Sequence, residues 1–447
     1  MIYIVLSGLY FLLNKNKNSI FSVLMGLLLF SSVAAYFVGR QHDFEWDTLL
    51  LTLYTAILLV ILFSGFRSYS GLKTISLSGI NKRRLNIVES VTSVFGVVVL
   101  VVYVYILSRI FSQLLLGAIT VQEHKNEGGA AAVWDAMVPH IFITLGNFIA
   151  PLGYFFLSLH FFYLVQGKIK RAIKYFVLSL CLVLNGLIAL SRSVSVQFIL
   201  LYATILFCML PLLGKKLKRR VFMISLILLG AIVLGLGVIS GSRFSTYYTR
   251  EFTEKKAILD ETKQPVLFSL LDYFAQWEED GLIIMKRHKP EYNSWGLYNC
   301  SGLAVQIQQK IYGAEKVNKA RDVKYHAILK EQNSCFHGIV ARLVYDFGFL
   351  GTVLFIIIYS VIIHKLGPRR RVLSFKSLMS LTIVLPACVV FWAGNEFSSL
   401  NLDLAIIYSF IIYLYVATYK RRKKKVNNNV TEYVQAGNSL AETKSET

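Results

Sequence analysis

Proline, cysteine and acidic residues are all scarce in this chain. Seven prolines in 447 residues leave long stretches in which every residue keeps its backbone N–H, which suits long helices and excludes a proline-rich linker. Five cysteines are too few for a disulfide-dense scaffold, and none of their spacings to histidine matches a zinc site. Asp and Glu total 25 against 47 Lys and Arg, a formal net charge of +22. In a soluble protein that excess would suggest nucleic acid; the distribution described below assigns it to a membrane surface, and no nucleic-acid partner is expected.

Apolar residues are abundant. They make up 55% of the chain, and the mean hydropathy is +0.56, well above a globular composition. Apolar runs of about 18–22 residues cross a hydrocarbon core at a helical rise of roughly 1.5 Å per residue. Such runs fall at Met1–Leu13, Ser19–Val38, Leu49–Phe66, Val91–Phe111, Ile141–Gln166, Ala172–Leu190, Val194–Leu212, Val221–Ile239, Leu343–His364, Leu378–Phe391 and Leu402–Tyr419. The first is short but lacks a cleavage-site pattern and is kept as a span. Backbone groups in lipid find no water, so the spans must be helices. The expected fold is all-α: a polytopic membrane protein with about eleven (10–12) transmembrane helices.

Basic clusters at Lys15/Lys17, Lys82–Arg84, Lys168–Arg171, Lys215–Arg220, Arg369–Arg371 and Lys420–Lys425 fall on alternate loops. The positive-inside rule makes these loops cytoplasmic and the intervening ones external. The organisation that follows is spans one to eight over 1–239, a large outer-face loop domain over 240–342, spans nine to eleven over 343–419, and a basic, disordered cytoplasmic tail over 420–447. Cys181, Cys208 and Cys388 sit in spans as apolar packing residues. Cys300 and Cys335 both lie in the outer loop, where an oxidising compartment would allow a disulfide or leave two thiols.

Residues 240–342 are the most informative segment, because a pore or carrier rarely needs such a loop. Within it Pro265–Met285 has helical spacing, with Phe268, Leu271, Tyr273, Phe274, Trp277 and Leu282 on its apolar positions. Two placements suit it: flat on the outer leaflet, aromatic face down, or packed on the loop's own core. Arg192, in Ser191-Arg192-Ser193 between two spans, is costly there unless it has a partner. Its planar fork suits a pyrophosphate, or it snorkels to lipid phosphates. Arg243 follows Gly241 at a span exit, where small neighbours admit a phosphate; Arg250 lies further along. His337, beside Gly338 at the next span, can take a proton as a neutral imidazole or serve structurally. Arg342 is either a substrate contact or an intrahelical partner of Asp346. Asp43, Glu45 and Asp47 form an acidic cluster in the first outer loop. Asp403 falls inside the last span and Glu396 just outside it; a buried acid in lipid invites a functional reading.

Arg192 opening a span, Gly241-Ser242-Arg243 at a span exit, and the run His337–Phe355 with Asp346, Phe347, Gly348 and Gly351 together resemble the O-antigen polymerases, the oligosaccharide repeat-unit polymerases of the Wzy type. The resemblance implies a glycosyltransferase of a bacterial inner membrane, with the large loop periplasmic and the C-terminus cytoplasmic. Its substrates would be two undecaprenyl-pyrophosphate-linked oligosaccharides, the growing chain moving from its carrier to a sugar hydroxyl of the incoming unit. Arg192 and Arg243 would stabilise the departing pyrophosphate without a metal or other cofactor, and His337 would activate the acceptor. Tyr247, Tyr248, Trp277 and Tyr292 would stack on sugars, with Arg250 and Arg342 also contacting substrate. Membrane lipids, a chain-length regulator and a flippase are the further partners implied. The alternatives are an O-antigen ligase, a metal-dependent polyprenyl-phosphate-using glycosyltransferase built on Asp43 and Glu45, and a lipid-linked oligosaccharide flippase.

Overall fold

A computed structural model describes residues 2–13, 19–39, 45–77, 79–116, 140–188, 192–215, 217–221, 223, 258–259, 264–293, 296, 302–320, 336–393, 397 and 399–418. The described chain is mostly helical. In order it forms α1 (Ile2–Leu13), α2 (Ile20–Phe37), α3 (Trp46–Ser64), α4 (Lys82–Leu115), α5 (His140–Ile149), α6 (Leu152–Val165), α7 (Ile169–Ser179), α8 (Cys181–Ile188), α9 (Arg192–Met209), α10 (Pro265–Arg287), α11 (Gly302–Tyr312), α12 (Ile339–Leu366), α13 (Phe375–Val384), α14 (Pro386–Val389) and α15 (Leu400–Val416). Two short strands, β1 (Thr74–Ser76) and β2 (Val372–Ser374), pair in parallel with Thr74 opposite Val372.

Among the described residues six helical stretches are long and apolar enough to cross a membrane: Ile20–Phe37, Trp46–Tyr69, Lys82–Gln113, Ile169–Ile188, Ser193–Leu212 and Ile339–Leu366. Taken as one span, α5 and α6 make a seventh, bent by 43°. The bend falls at Pro151, which has no N–H to continue the ladder. The other expected spans depart from single long helices. α1 has 12 residues and α15 has 17. Leu378–Phe391 is divided, because α13 stops at Val384 and Pro386 starts the four-residue α14. Residues 224–239 and the tail beyond 418 lie outside the described part of the chain.

The chain forms two compact units. The first comprises Met1–Arg67, Leu229–Lys365 and Val384–Asp403. Here α10 packs along α2, with Ala34, Ala35, Val38, Phe268 and Ala275 buried together. Its C-terminal half joins α12 through Leu282, Ile284, Met285, Ala341, Val344 and Tyr345. Small residues let backbones approach, the usual basis of helix packing in lipid. A Cβ on Gly65 would come within 2.8 Å of the Ser360 carbonyl oxygen, and the Ser360 hydroxyl donates to the Ile61 carbonyl at 2.8 Å. α12 is broken at Gly348, whose φ of 69° and ψ of −179° only glycine adopts readily. The Asp-Phe-Gly run is therefore a helix break inside one long apolar stretch.

The second unit holds Ser68–Leu228, Leu366–Ile383 and Leu404–Thr447. Its core is built from α4, α5 and α8, with Val99, Tyr103, Ile106, Ile110, Ile143, Cys181 and Ile188 buried together. α6 and α7 form a helical hairpin turning at Gly167, which has φ of 71°.

Candidate functional site

The segment Pro265–Met285, expected as a helix, is the helix α10, but its aromatic face lies neither on a membrane surface nor on a core of its own loop. It is inserted among α1, α2, α3 and the start of α12. Trp277 is only 4% exposed. Its indole N–H donates to the Ser31 hydroxyl at 2.5 Å, and that hydroxyl donates to the Phe274 carbonyl at 2.9 Å. The ring also packs on Tyr3 and Phe391, with centroids 5.3 and 5.4 Å away. Trp277, expected to stack on a sugar, is a buried anchor of α10 and also lines a cavity shared with Glu278.

One helical step further, Glu278 enters the same interior. Its Oε1 accepts a hydrogen bond from the Ser32 hydroxyl at 2.7 Å. With Tyr3, Thr55, Trp277, Gly281, Met285, His337 and Phe391 it lines a small cavity of about 10 Å³, room for about one water molecule. The side chain is half-buried, and the protein atoms packed around it strip water from its carboxyl. That desolvation pushes its carboxyl up from an ordinary 4.5 to about 7, against the opposing effect of the Ser32 hydrogen bond. A carboxyl titrating there takes and returns protons near neutral pH.

His337 is fully buried. It precedes Gly338, whose φ of 69° turns the chain into α12, and the N–H of Ile339 is held by the Phe391 carbonyl at 2.7 Å. A Cβ on Gly338 would come within 3.0 Å of the Trp277 ring, and one on Gly281 within 2.8 Å of the His337 carbonyl oxygen. Two glycines thus let α10 and the His337–Gly338 turn meet backbone to backbone. Burial first, and the charge of Arg342 second, press the imidazole far down, to about 2. His337, expected at the membrane surface, is instead buried in the cavity wall.

The other expected site residues are spread out or lie outside the described residues. Arg192 begins α9 in the second unit, and its side chain is not among those described. Arg243, Tyr247, Tyr248 and Arg250 lie outside the described residues, as do Asp43, Cys300, Cys335 and Glu396. Arg342 is half-buried in the first turn of α12 and reaches His337 electrostatically. Glu45 is paired with Lys286 at 2.5 Å, so one acid of the Asp43–Asp47 cluster ties α3 to α10. Asp403 accepts the backbone N–H of Leu303 at 2.8 Å, capping the first turn of α11. Its acid has a structural use that the sequence could not name. Among the described residues no three His, Cys, Asp or Glu side chains converge as metal ligands.

Glu278 had a legible signal that the reading of single arginines and histidines passed over. It stands four residues after Phe274 and four before Leu282, on the apolar stripe of the helix rather than its polar face. Comparison with family models, with curated proteins and with solved structures finds no match to this chain.

Proposed function

We propose that this chain is a membrane-embedded glycan polymerase of the Wzy type, joining undecaprenyl-pyrophosphate-linked oligosaccharide repeat units at the periplasmic face of a bacterial inner membrane. The observation that carries the reading is α10. The long segment between the apolar stretches Val221–Ile239 and Ile339–Leu366 sends one helix into the helical interior of the first unit, and that helix delivers Glu278, a carboxyl raised to about 7. In this reading about eleven helices cross the membrane, with the short apolar helices α1, α13–α14 and α15 counted as spans, and the large loop is external.

The chemistry follows from those groups. Glu278 accepts the proton of the acceptor hydroxyl as that oxygen bonds to the anomeric carbon of the growing chain. The bond from that carbon to the carrier's pyrophosphate breaks, and the polyprenyl pyrophosphate departs with the electron pair. Arg243 holds its developing charge bidentately, so no metal is called for. Tyr247, Tyr248 and Arg250 lie beside Arg243 in sequence and serve the sugar and phosphate groups. His337 and Trp277 keep α10 in place. A chain-length regulator and a flippase are the partners such an enzyme would work with.

The test is reconstitution. Full-length protein in vesicles, given undecaprenyl-pyrophosphate-linked repeat units, should yield a ladder of lengthening glycans in the presence of EDTA. A single transfer to lipid A–core without a ladder would make it a ligase. Activity abolished by EDTA and restored by Mn²⁺ would make it a metal-dependent transferase, and vectorial movement of the lipid without bond formation would make it a flippase.

A further inference from the structure

In the second unit a buried carboxylate organises a group of cations. Glu89 of α4 is 5% exposed. Its Oε1 accepts the Tyr163 hydroxyl at 2.6 Å and its Oε2 the Tyr175 hydroxyl at 2.8 Å. The two phenol rings, one from α6 and one from α7, stack with centroids 5.6 Å apart and planes 16° from parallel. Three exposed cations lie over this pair. Lys168 Nζ is 5.7 Å and the Arg171 guanidinium 5.4 Å from the Tyr163 centroid, and Lys174 Nζ is 5.2 Å from the Tyr175 centroid. Arg171 also donates to the Tyr163 hydroxyl at 3.5 Å. None of the three forms an ion pair with a carboxylate among the described residues.

We propose that Lys168, Arg171 and Lys174 form a headgroup site for an anionic glycerophospholipid of the surrounding leaflet. The position fits the depth of a headgroup. On α7 the apolar residues Ile169, Ile173 and Val177 are exposed, a stripe at helical spacing suited to acyl chains. The cations cluster at the N-terminal end of the same helix, where the first backbone N–H groups add partial positive charge. The charge is fixed as well as abundant. Phenols that give both protons to one carboxylate present electron-rich faces, and cations resting on such faces lose less freedom when a phosphate arrives. A phosphodiester without a cation of its own takes the Arg171 fork and the two ammonium groups together, whereas in a zwitterionic headgroup the attached ammonium already offsets the phosphate charge.

Full-length protein in neutral detergent, titrated with dioleoylphosphatidylglycerol, tests this through lipid retained in native mass spectrometry and the thermal unfolding midpoint. Phosphatidylglycerol should be retained and raise the midpoint, while dioleoylphosphatidylcholine and inorganic phosphate should not. Lys168→Gln, Arg171→Gln and Lys174→Gln should each weaken retention roughly fivefold, and the triple variant by about a hundredfold. All three positions are exposed, so the fold should survive. Lys218→Gln/Arg219→Gln/Arg220→Gln removes the same charge elsewhere on the unit and should leave retention intact. Equal retention of both lipids, equal stabilisation by inorganic phosphate, or equal loss in the two triple variants would overturn the site.

Discussion

Gly281 of α10 faces His337 so closely that a Cβ on the glycine would stand 2.8 Å from the histidine's carbonyl oxygen. The neighbour is backbone, with Ala341 Cβ 3.3 Å away on the same side, so nothing flexible can yield. This approach sets how deeply α10 enters the first unit and hence where Glu278 lies. Gly281→Ala should destabilise the protein by about 1–3 kcal/mol, read as a lower unfolding midpoint in detergent. A midpoint equal to the wild type would mean that α10 is not seated as described.

Gly348 gives a second test of the backbone, independent of the site. Its φ of 69° and ψ of −179° interrupt α12, and a Cβ there would meet the Asn293 side chain at 3.2 Å. Gly348→Ala should cost about 1–3 kcal/mol through backbone strain. Gly351, three residues on, has no positive φ, yet a Cβ there would stand 2.7 Å from the Cβ of Phe347, an atom that cannot swing aside. Gly351→Ala should therefore also lower the midpoint in the same unfolding assay.

Much of this was legible in the sequence, and the failures have physical causes. Hydropathy located the long apolar helices, because a membrane selects for apolar length and little else. It did not show where Pro151 bends one or where Pro386 divides another. The helix at Pro265 was evident from spacing, and its depth was not. Glu278-Glu279-Asp280 looks like three solvated acids until the partners of α10 are known, and those partners, Ser31 and Ser32, are 246 residues away from Trp277 and Glu278. Likewise Asp403 in an apolar run pointed to function, whereas its carboxylate accepts the backbone N–H of Leu303, 100 residues distant, and caps α11. Single residues advertise their chemistry; their neighbours, which set it, are not written beside them.

His337 titrates far below an unperturbed imidazole, so its effect on stability falls on the acid side. The folded protein keeps the ring neutral down to about 2, while the unfolded chain protonates it near 6.5. Below about 6.5 the unfolded state therefore binds the extra proton, and stability is lost as pH falls. His337→Gln removes that loss. Relative to wild type, the variant should be more stable at pH 5 than at pH 8, whatever the cost of the substitution itself. A difference between variant and wild type that does not change with pH would show the ring to be solvated.

Glu278 should act in the opposite direction and also govern activity. Its folded carboxyl titrates at about 7 and its unfolded one near 4.5. Between those values the folded state holds a proton that the unfolded state has released, so the stability it contributes is full below 4.5 and is lost as pH rises to about 7. Glu278→Gln stays neutral and should gain stability relative to wild type at pH 8 but not at pH 4.5. As a base, the same carboxyl must be ionised to work, so polymerisation should rise with pH and level off above about 7. Glu278→Gln should lower the rate by about 10²–10⁴ and abolish that rise. Glu278→Asp, which keeps the acid on a shorter arm, should retain a pH-dependent fraction. A Gln variant that polymerises at the wild-type rate would remove Glu278 from the chemistry and leave it as a buried carboxyl bonded to Ser32.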